Sequence, residues 1–460
     1  MGTSVDVLIV GAGAAGMMAG IAARGGITSE GRPAKVGSQA PSVVLLDGTK
    51  RLGLKILVSG GGRCNVTNED VGPEDFETDR PNALRSCLRE LPASAVRTYF
   101  TERGCPLVNE PIGKLFPSSQ RAQDILSTLR TALSECGAEL LLEHEVISVE
   151  RTGDRWRAIC ANGAVFDAAR LILATGGKSL PKTGSRGFGF ALAERLGLEL
   201  SPTLPALTPI RLAESGPLHG LAGLTVPVLL SLVDVDATPD QTAGKRFAPR
   251  ARAAGSLLVT HRGASGPAAL DVSGACGLAL QERRPSRLVA DFWTLGHRGS
   301  TDWPYHDLDK LPGSCLRPEL GVRPVPFETF LQSFDRTDSA KSLLNILSAE
   351  LPRRLVSRLL EVHAIDGEAR LPQVSKATWR RVYEAIVHCD LKLIGTDGYE
   401  KAEVTRGGVL LGELDRHTLE SKRHPGLHLC GEVVNVTGRL GGFNFQWAWS
   451  SGYLAGHASQ

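Results

Sequence analysis

The chain has 460 residues, 42% of them hydrophobic and 22% charged, with a formal net charge of +3. That length calls for two or three domains, and the composition is that of a globular protein rather than a disordered one. The charge is spread along the chain without a basic block, so composition gives no support to nucleic-acid or anionic-membrane binding.

Val5 to Val10 reads as a short buried strand. Gly11-Ala12-Gly13-Ala14-Ala15-Gly16 follows at once, and then an alanine-rich helical run, Met17 to Arg24. A G-x-G-x-x-G turn directly after an apolar strand and before a helix is a dinucleotide-binding signature. Gly11 makes the tight turn, Gly13 lets a pyrophosphate approach the backbone, and Gly16 lets the helix pack close to the strand. The helix N-terminus then offers unpaired N–H groups and a positive dipole end to the phosphates. The same stretch is not a signal peptide. It has no basic start, carries Asp6, and is broken by the glycines. Asp6 also stands where a myristoylation signal needs Ser or Thr. No apolar run reaches membrane-spanning length, so the expected location is cytoplasmic, with no membrane partner.

Val43 to Leu46 is a second short apolar run, and Asp47 ends it. An acid there binds the ribose hydroxyls in dinucleotide folds, usually about 20 residues beyond the glycine turn. Asp47 stands 36 residues beyond Gly11, and the polar segment Thr28 to Pro41 reads as a loop inserted before the strand. The segment Gly53 to Asn68 contains Lys55, then Ser59-Gly60-Gly61-Gly62-Arg63-Cys64-Asn65. Three consecutive glycines let backbone pass against a flat ring or a phosphate, with Arg63, Asn65 and Asn68 as donors. Cys64 beside Arg63 is either a low-pKa thiol or a buried, inert one packed near the cofactor.

Arg121 to Cys136 has helical spacing. Glu139 to Val149, Arg155 to Cys160 and Ala164 to Phe166 read as short strands, and Leu171 to Ala174 as a further buried strand running into Thr175-Gly176-Gly177. From Ser201 to Val325 short β-like runs, Val226 to Val235 and Ser256 to Val259, alternate with long Pro/Gly/Arg-rich connections, Asp236 to Gly255 and Gly296 to Pro326. This predicts a separate, mostly β domain. Phe327 to Cys389 has helical periodicity, and its leucines are read as core. Leu427 to Leu429 is again a strand, followed by Cys430-Gly431-Glu432, and the chain closes on Gly441-Gly442-Phe443-Asn444 and a small-residue helix. Nine cysteines include no C-x-x-C pair, which removes the simplest zinc, iron–sulfur and dithiol readings. An odd, scattered set suits a reducing compartment.

The glycine turn, Ala174-Thr175-Gly176-Gly177 and Gly431-Glu432 together, in this order, are the pattern of a two-part FAD domain. In that arrangement Glu432 lies beside the ribityl chain, and Gly441-Gly442 aims the last helix at the flavin N1/C2=O edge, where a positive dipole end favours the reduced anion. Six segments carry a closer likeness: Gly11–Gly16, Ser59–Asn68, Lys114-Leu115-Phe116-Pro117-Ser118, Thr260–Pro267, Val404–Val409 and Gly441–Ala448. With these the chain resembles, over nearly its whole length, the BaiN/YhiN-like flavoproteins, also labelled aminoacetone-oxidase-type enzymes. The resemblance implies an α/β, glutathione-reductase-type FAD-binding Rossmann domain (1–200 and 390–460), an inserted β-rich, barrel-like substrate domain (201–326) and a helical insert (327–389). It implies FAD as cofactor, contacted by Gly11, Gly13, Ala14, Ala15, Gly16, Asp47, Lys55, Gly61, Gly62, Arg63, Cys64, Asn65, Val146, Ala174, Thr175, Gly176, Gly177, Gly431, Glu432, Gly441, Gly442, Phe443 and Asn444.

Two departures stand out. Asp47 replaces the usual Glu and keeps the carboxylate, whereas Asn435 and Thr437 stand where two aspartates are usual. His261 and Lys114 are the candidate acid–base residues, each with a plainly structural alternative. The expected activity is hydride transfer between flavin N5 and a small organic molecule, with no metal and no nucleic acid. NAD(P)H, bound transiently, or O₂ is the redox partner, because no second glycine turn precedes a strand–helix pair. The contrasting reading is a flavin-binding protein without enzymatic activity, a redox sensor or a nucleic-acid-associated flavoprotein.

Overall fold

The computed structural model describes residues 2–235, 249–295, 324–334 and 340–460. Parts of the two long connections, 236–248 and 296–323, therefore lie outside the described residues. The chain divides into two compact units, Met1–Pro205 with Tyr399–Gln460, and Ala206–Gly398.

The first unit is built on a seven-stranded sheet. Thr3–Val10 lies parallel to Val43–Leu46 on one side and to Val165–Leu173 on the other. Glu139–Leu141 extends the parallel edge beyond Val43–Leu46. Val7–Val10, Val43–Leu46 and Leu171–Leu173 are continuous apolar runs because both faces of the sheet are covered there. The strand Val165–Leu173 is longer than the sequence reading, which broke it between Phe166 and Leu171. Asp167 and Arg170 interrupt the apolar pattern there, and Asp167 is accommodated by an ion pair with Arg157 on the neighbouring strand. The long strand has two partners on its outer side. Its first half pairs antiparallel with Arg155–Cys160, and its second half pairs parallel with Leu427–Leu429 from the end of the chain.

The helix Ala14–Ala23 is buried along nearly its whole length. It lies against the strand Val43–Leu46 through Gly20, whose Cα faces Leu45, and against the last helix, Phe443–His457. At Gly452 and Gly456 of that last helix a Cβ would collide with the carbonyls of Ala15 and Ala19, so the two backbones touch where side chains are missing. The expected helix at 121–136 runs from Ala122 to Glu135.

The second unit carries an antiparallel sheet in the order Cys389–Asp390, Ser286–Asp291, Thr225–Asp234, Ala251–Thr260, Gly263–Ser265, Ile210–Leu212, Leu393–Thr396. Six steps of about 4.8 Å would set the edges of a flat sheet about 29 Å apart. Asp390 and Leu393, one on each edge, are joined by a stretch of chain that reaches about 11 Å at most. The sheet therefore curls round until its edges approach. The helix Pro267–Gln281 packs on the strand Ala251–Thr260. It was not foreseen, because its alanines and glycines are apolar all round and give no helical period. Four further helices, Phe327–Gln332, Leu343–Glu350, Arg353–Val362 and Lys376–Val387, enclose a core in which Trp293, Phe330, Phe334 and Trp379 meet edge-on or tilted. No helix among the described residues is long and apolar enough to cross a membrane.

Candidate cofactor-binding site

The parallel register levels four strand ends. Val10 is opposite both Leu46 and Leu173, and Leu173 is opposite Leu429. The segments that follow, at Gly11, Asp47, Ala174 and Cys430, therefore emerge on one carboxyl edge, where open α/β sheets bind ligands.

Gly11 turns there with φ of 100°, its Cα packed on the Ala174 carbonyl. At Gly16 a Cβ would collide with the Gly11 carbonyl, so the first helix begins against its own turn. Gly13 differs, since a Cβ built on it meets nothing within 4 Å. Gly13 is also the N-cap of the helix, with no side-chain cap and no acid in the first turn. An uncapped helix N-terminus facing open space is a ready anion site. Asp47 lies beside it. Its Oδ2 accepts from the Ala12 N–H at 3.0 Å, and its Oδ1 accepts from the Thr49 N–H and hydroxyl at 2.9 and 2.6 Å. The carboxylate is thereby fixed in orientation while keeping acceptor capacity. Val146, buried, sits two residues beyond His144, whose N–H donates to the Asp47 carbonyl.

The next part is a partly buried ion pair. Glu432 Oε2 accepts from Lys55 Nζ at 2.6 Å, and its Oε1 accepts from the Thr405 N–H at 2.6 Å and the Ser179 hydroxyl at 2.9 Å. Burial pushes the Glu432 carboxyl up, but Lys55 and the other donors outweigh it and hold the pKa below the usual carboxylate value. Gly177 packs directly on Thr405 and Glu432, with Glu432 Cδ 2.8 Å from where its Cβ would stand. The Thr405 hydroxyl accepts from the Lys178 and Ser179 N–H groups. Glu403 lies next to this cluster, its carbonyl accepting from the Ser179 hydroxyl at 3.2 Å. Its side chain is exposed. Desolvation by the surrounding protein raises its carboxyl pKa, and the nearby charges of Lys55 and Lys114 pull the other way. Ser179, Thr405 and Glu403 received no role from the sequence, because their partners lie hundreds of residues away.

The third part joins two glycine-rich loops. Gly442, φ 95° and N-cap of the last helix, packs on Thr67 and on the Asn65 side chain, with Asn65 Oδ1 2.9 Å from where its Cβ would stand. The Gly441 carbonyl accepts from Asn68 Nδ2. Gly61, φ 69°, faces open space, and Gly62 follows it with φ 86°. Asn65 Oδ1 and Thr175 Oγ1 are buried without hydrogen-bond partners among the described residues. Contacts make the parts continuous. Gly431 packs on Ala15, its N–H donates to the Ser451 hydroxyl, and its carbonyl accepts from Trp447 Nε1.

Several expected residues face elsewhere. Arg63 pairs with Glu110 at 2.9 Å and lies 4.1 Å over the Phe116 ring. Asn444 is tied to both backbone groups of Gly438, and Phe443 is buried beneath Arg439. Cys64 is fully buried, and burial pushes its thiol up to about 12, which leaves it protonated and inert. Asn435 donates to Asp79, and Thr437 Oγ1 is buried without a partner among the described residues. Lys114 starts a strand paired with Thr67–Asn68 and Leu107–Glu110. His261 is exposed in the turn after Ala251–Thr260, in the second unit. Among the described residues no His/Cys/Asp/Glu group is arranged to hold a metal ion.

The open turn at Gly13, the open loop at Gly61 and the orphaned Asn65 and Thr175 oxygens fit a long dinucleotide laid along the edge. The family model described as the HI0933-like protein Rossmann domain matches residues 5–458. The chain is 32% identical over 450 residues to the ribosomal RNA dihydrouridine synthase of Escherichia coli, covering 97% of this chain and 96% of that one. It is 30% identical over 451 residues to the 3-dehydro-bile acid delta(4,6)-reductase of Clostridium scindens, covering 98% of each. Among solved structures, 3-ketosteroid-delta4-(5alpha)-dehydrogenase from Rhodococcus jostii aligns with a TM-score of 0.45 at 15% identity, over 100% of this chain and 97% of that one. The chain belongs to the HI0933-like family of FAD-binding Rossmann flavoproteins.

Proposed function

We propose that this flavin oxidoreductase reduces a carbon–carbon double bond conjugated to a carbonyl, drawing its electrons from NAD(P)H. The names of the two relatives share that chemistry. Dihydrouridine is uridine saturated at a double bond conjugated to a ring carbonyl, and a delta(4,6)-reductase acting on a 3-dehydro substrate saturates bonds conjugated to the 3-oxo group. Bound along the carboxyl edge, FAD supplies a hydride from its N5. The chain itself must hold the cofactor, exclude water and provide a proton for the carbon next to the carbonyl.

Gly13 and the uncapped first helix hold the pyrophosphate, Asp47 the ribose, and the loops at Gly61–Asn65 and Gly441–Gly442 the ring end. The observation that carries the reading is the set of open turns and unpartnered buried oxygens along this site, at Gly13, Gly61, Asn65 and Thr175. Glu403, near the charges of Lys55 and Lys114, is the candidate proton donor. Lys55 fixes Glu432 and thereby the turn at Gly177, and Lys114 contributes positive charge.

Anaerobic mixing of the FAD-loaded protein with NADH or NADPH is expected to bleach the flavin band. A 3-oxo-Δ4 steroid or a uridine oligonucleotide is then expected to restore it. Gly13→Val is expected to lose flavin while keeping its circular dichroism, since the new side chain enters open space. Absence of bleaching with both nucleotides, or stoichiometric flavin in the Gly13 variant, refutes the assignment.

A further inference from the structure

The second unit carries an open groove of about 580 Å³. One wall is the segment His219–Leu221, and the other is Arg353, Arg354, Ser357, Arg358 and Glu361 of the helix Arg353–Val362. That helix is strongly two-sided. Leu355, Val356, Leu359 and Leu360 are buried, which fixes the opposite face and points its arginines outward together.

Among the described residues, two of the three guanidinium groups meet only neutral acceptors. Arg353 Nη1 donates to Asn345 Oδ1 at 2.9 Å, and Arg354 Nη2 donates to the Gly220 carbonyl at 3.4 Å. Such contacts orient the charge without cancelling it. Arg358 pairs with Glu361, which is itself exposed, and its Nε is buried without a partner among the described residues. From Arg353 to Arg358 the charges run about 7.5 Å along the helix axis. That spread exceeds one phosphate and suits a polymer of repeating negative charges. Planar guanidinium forks match phosphate oxygens two at a time.

We propose that this groove is a docking site for the phosphodiester backbone of an RNA strand. The choice of RNA rests on the reading above, in which a uracil ring is one of the acceptable conjugated substrates. The whole-chain charge of +3 does not speak against it, because that figure averages over a local cluster.

The test uses the FAD-loaded full chain and a labelled oligouridine RNA of about 16 nucleotides, followed by fluorescence anisotropy across a salt series. The double variant Arg354→Gln, Arg358→Gln is expected to bind about 10-fold more weakly at about 100 mM salt, with a log–log salt slope shallower by about 1.4, the loss of two single-strand phosphate contacts. Glu361→Gln, which frees Arg358, is expected to tighten binding several-fold. Unchanged affinity and slope in the double variant overturn the proposal. So does polyglutamate binding as tightly as RNA with the same loss in the double variant, which marks an acidic-protein surface instead. Flavin bleaching by NADH and NADPH is read on the same samples. If bleaching fails while RNA binding responds as expected, the reductase reading falls and the groove stands.

Discussion

Glu432 is the residue on which the carboxyl edge most depends. It is a largely buried carboxylate with three donors, one of them the Lys55 ammonium, and the side chains of the pair are 18% and 30% exposed. Removing one partner leaves the other charge uncompensated. Lys55 keeps 30% of its side chain exposed, so solvent screens part of the cost, and Lys55→Met is expected to lower unfolding free energy by roughly 1–3 kcal/mol, less than for a fully buried pair. The double variant Lys55→Met, Glu432→Gln is expected to recover part of that loss. The pH dependence follows from the depressed Glu432 pKa. Its stabilisation is fully present above the ordinary carboxylate pKa and is lost as pH falls through the lower, folded value. Urea unfolding of both variants between neutral and acid pH measures this. A Lys55→Met curve parallel to wild type shows that the pair does not carry it. None of this pairing was legible in the sequence. Lys55 and Glu432 lie 377 residues apart, and the late Gly-Glu read only as a ribityl-side carboxylate.

At the level of elements, the crossing of the first and last helices offers a test of sign. Gly456 sits in the last turn of its helix, one residue before His457, where alanine is favoured on propensity by no more than the about 1 kcal/mol of a helix interior. Its Cα, however, faces the Ala19 carbonyl, and a Cβ would strike backbone rather than a flexible side chain. Overpacking costs about 1–3 kcal/mol. The steric effect is the larger, so Gly456→Ala is expected to lower Tm in calorimetry, and a raised Tm contradicts the close crossing. The strand–glycine–helix start was legible because its signals are local: an apolar run, three glycines, an alanine-rich run. The helix Pro267–Gln281 was not, because uniform small residues carry no period and its identity is settled by the sheet it packs on. The arginine groove was hidden for a related reason. Residues 327–389 hold nine Lys/Arg and eight Asp/Glu, so only the buried face of one helix sorts the charges.

Across the whole molecule the two units have separate hydrophobic cores. Thermal unfolding is expected to show two transitions, and added FAD to raise only one of them, that of the unit bearing Gly13. At a free concentration about 100 times Kd the linkage is worth about 2.7 kcal/mol. Differential scanning calorimetry with and without FAD reads this, and a single transition that shifts as a whole counts against independent cores.

The pairing of Val165–Leu173 with Leu427–Leu429, and of the first helix with the last, has a consequence for synthesis. The glycine turn leaves the ribosome before the second unit does, and the strand and helix that complete its own unit leave after it. Every residue of the second unit emerges in between and has its own core to fold into. Until those segments arrive, the apolar helix Ala14–Ala23 lacks its cover. The part of the molecule that is easiest to recognise in the sequence is thus completed only after the second unit has emerged.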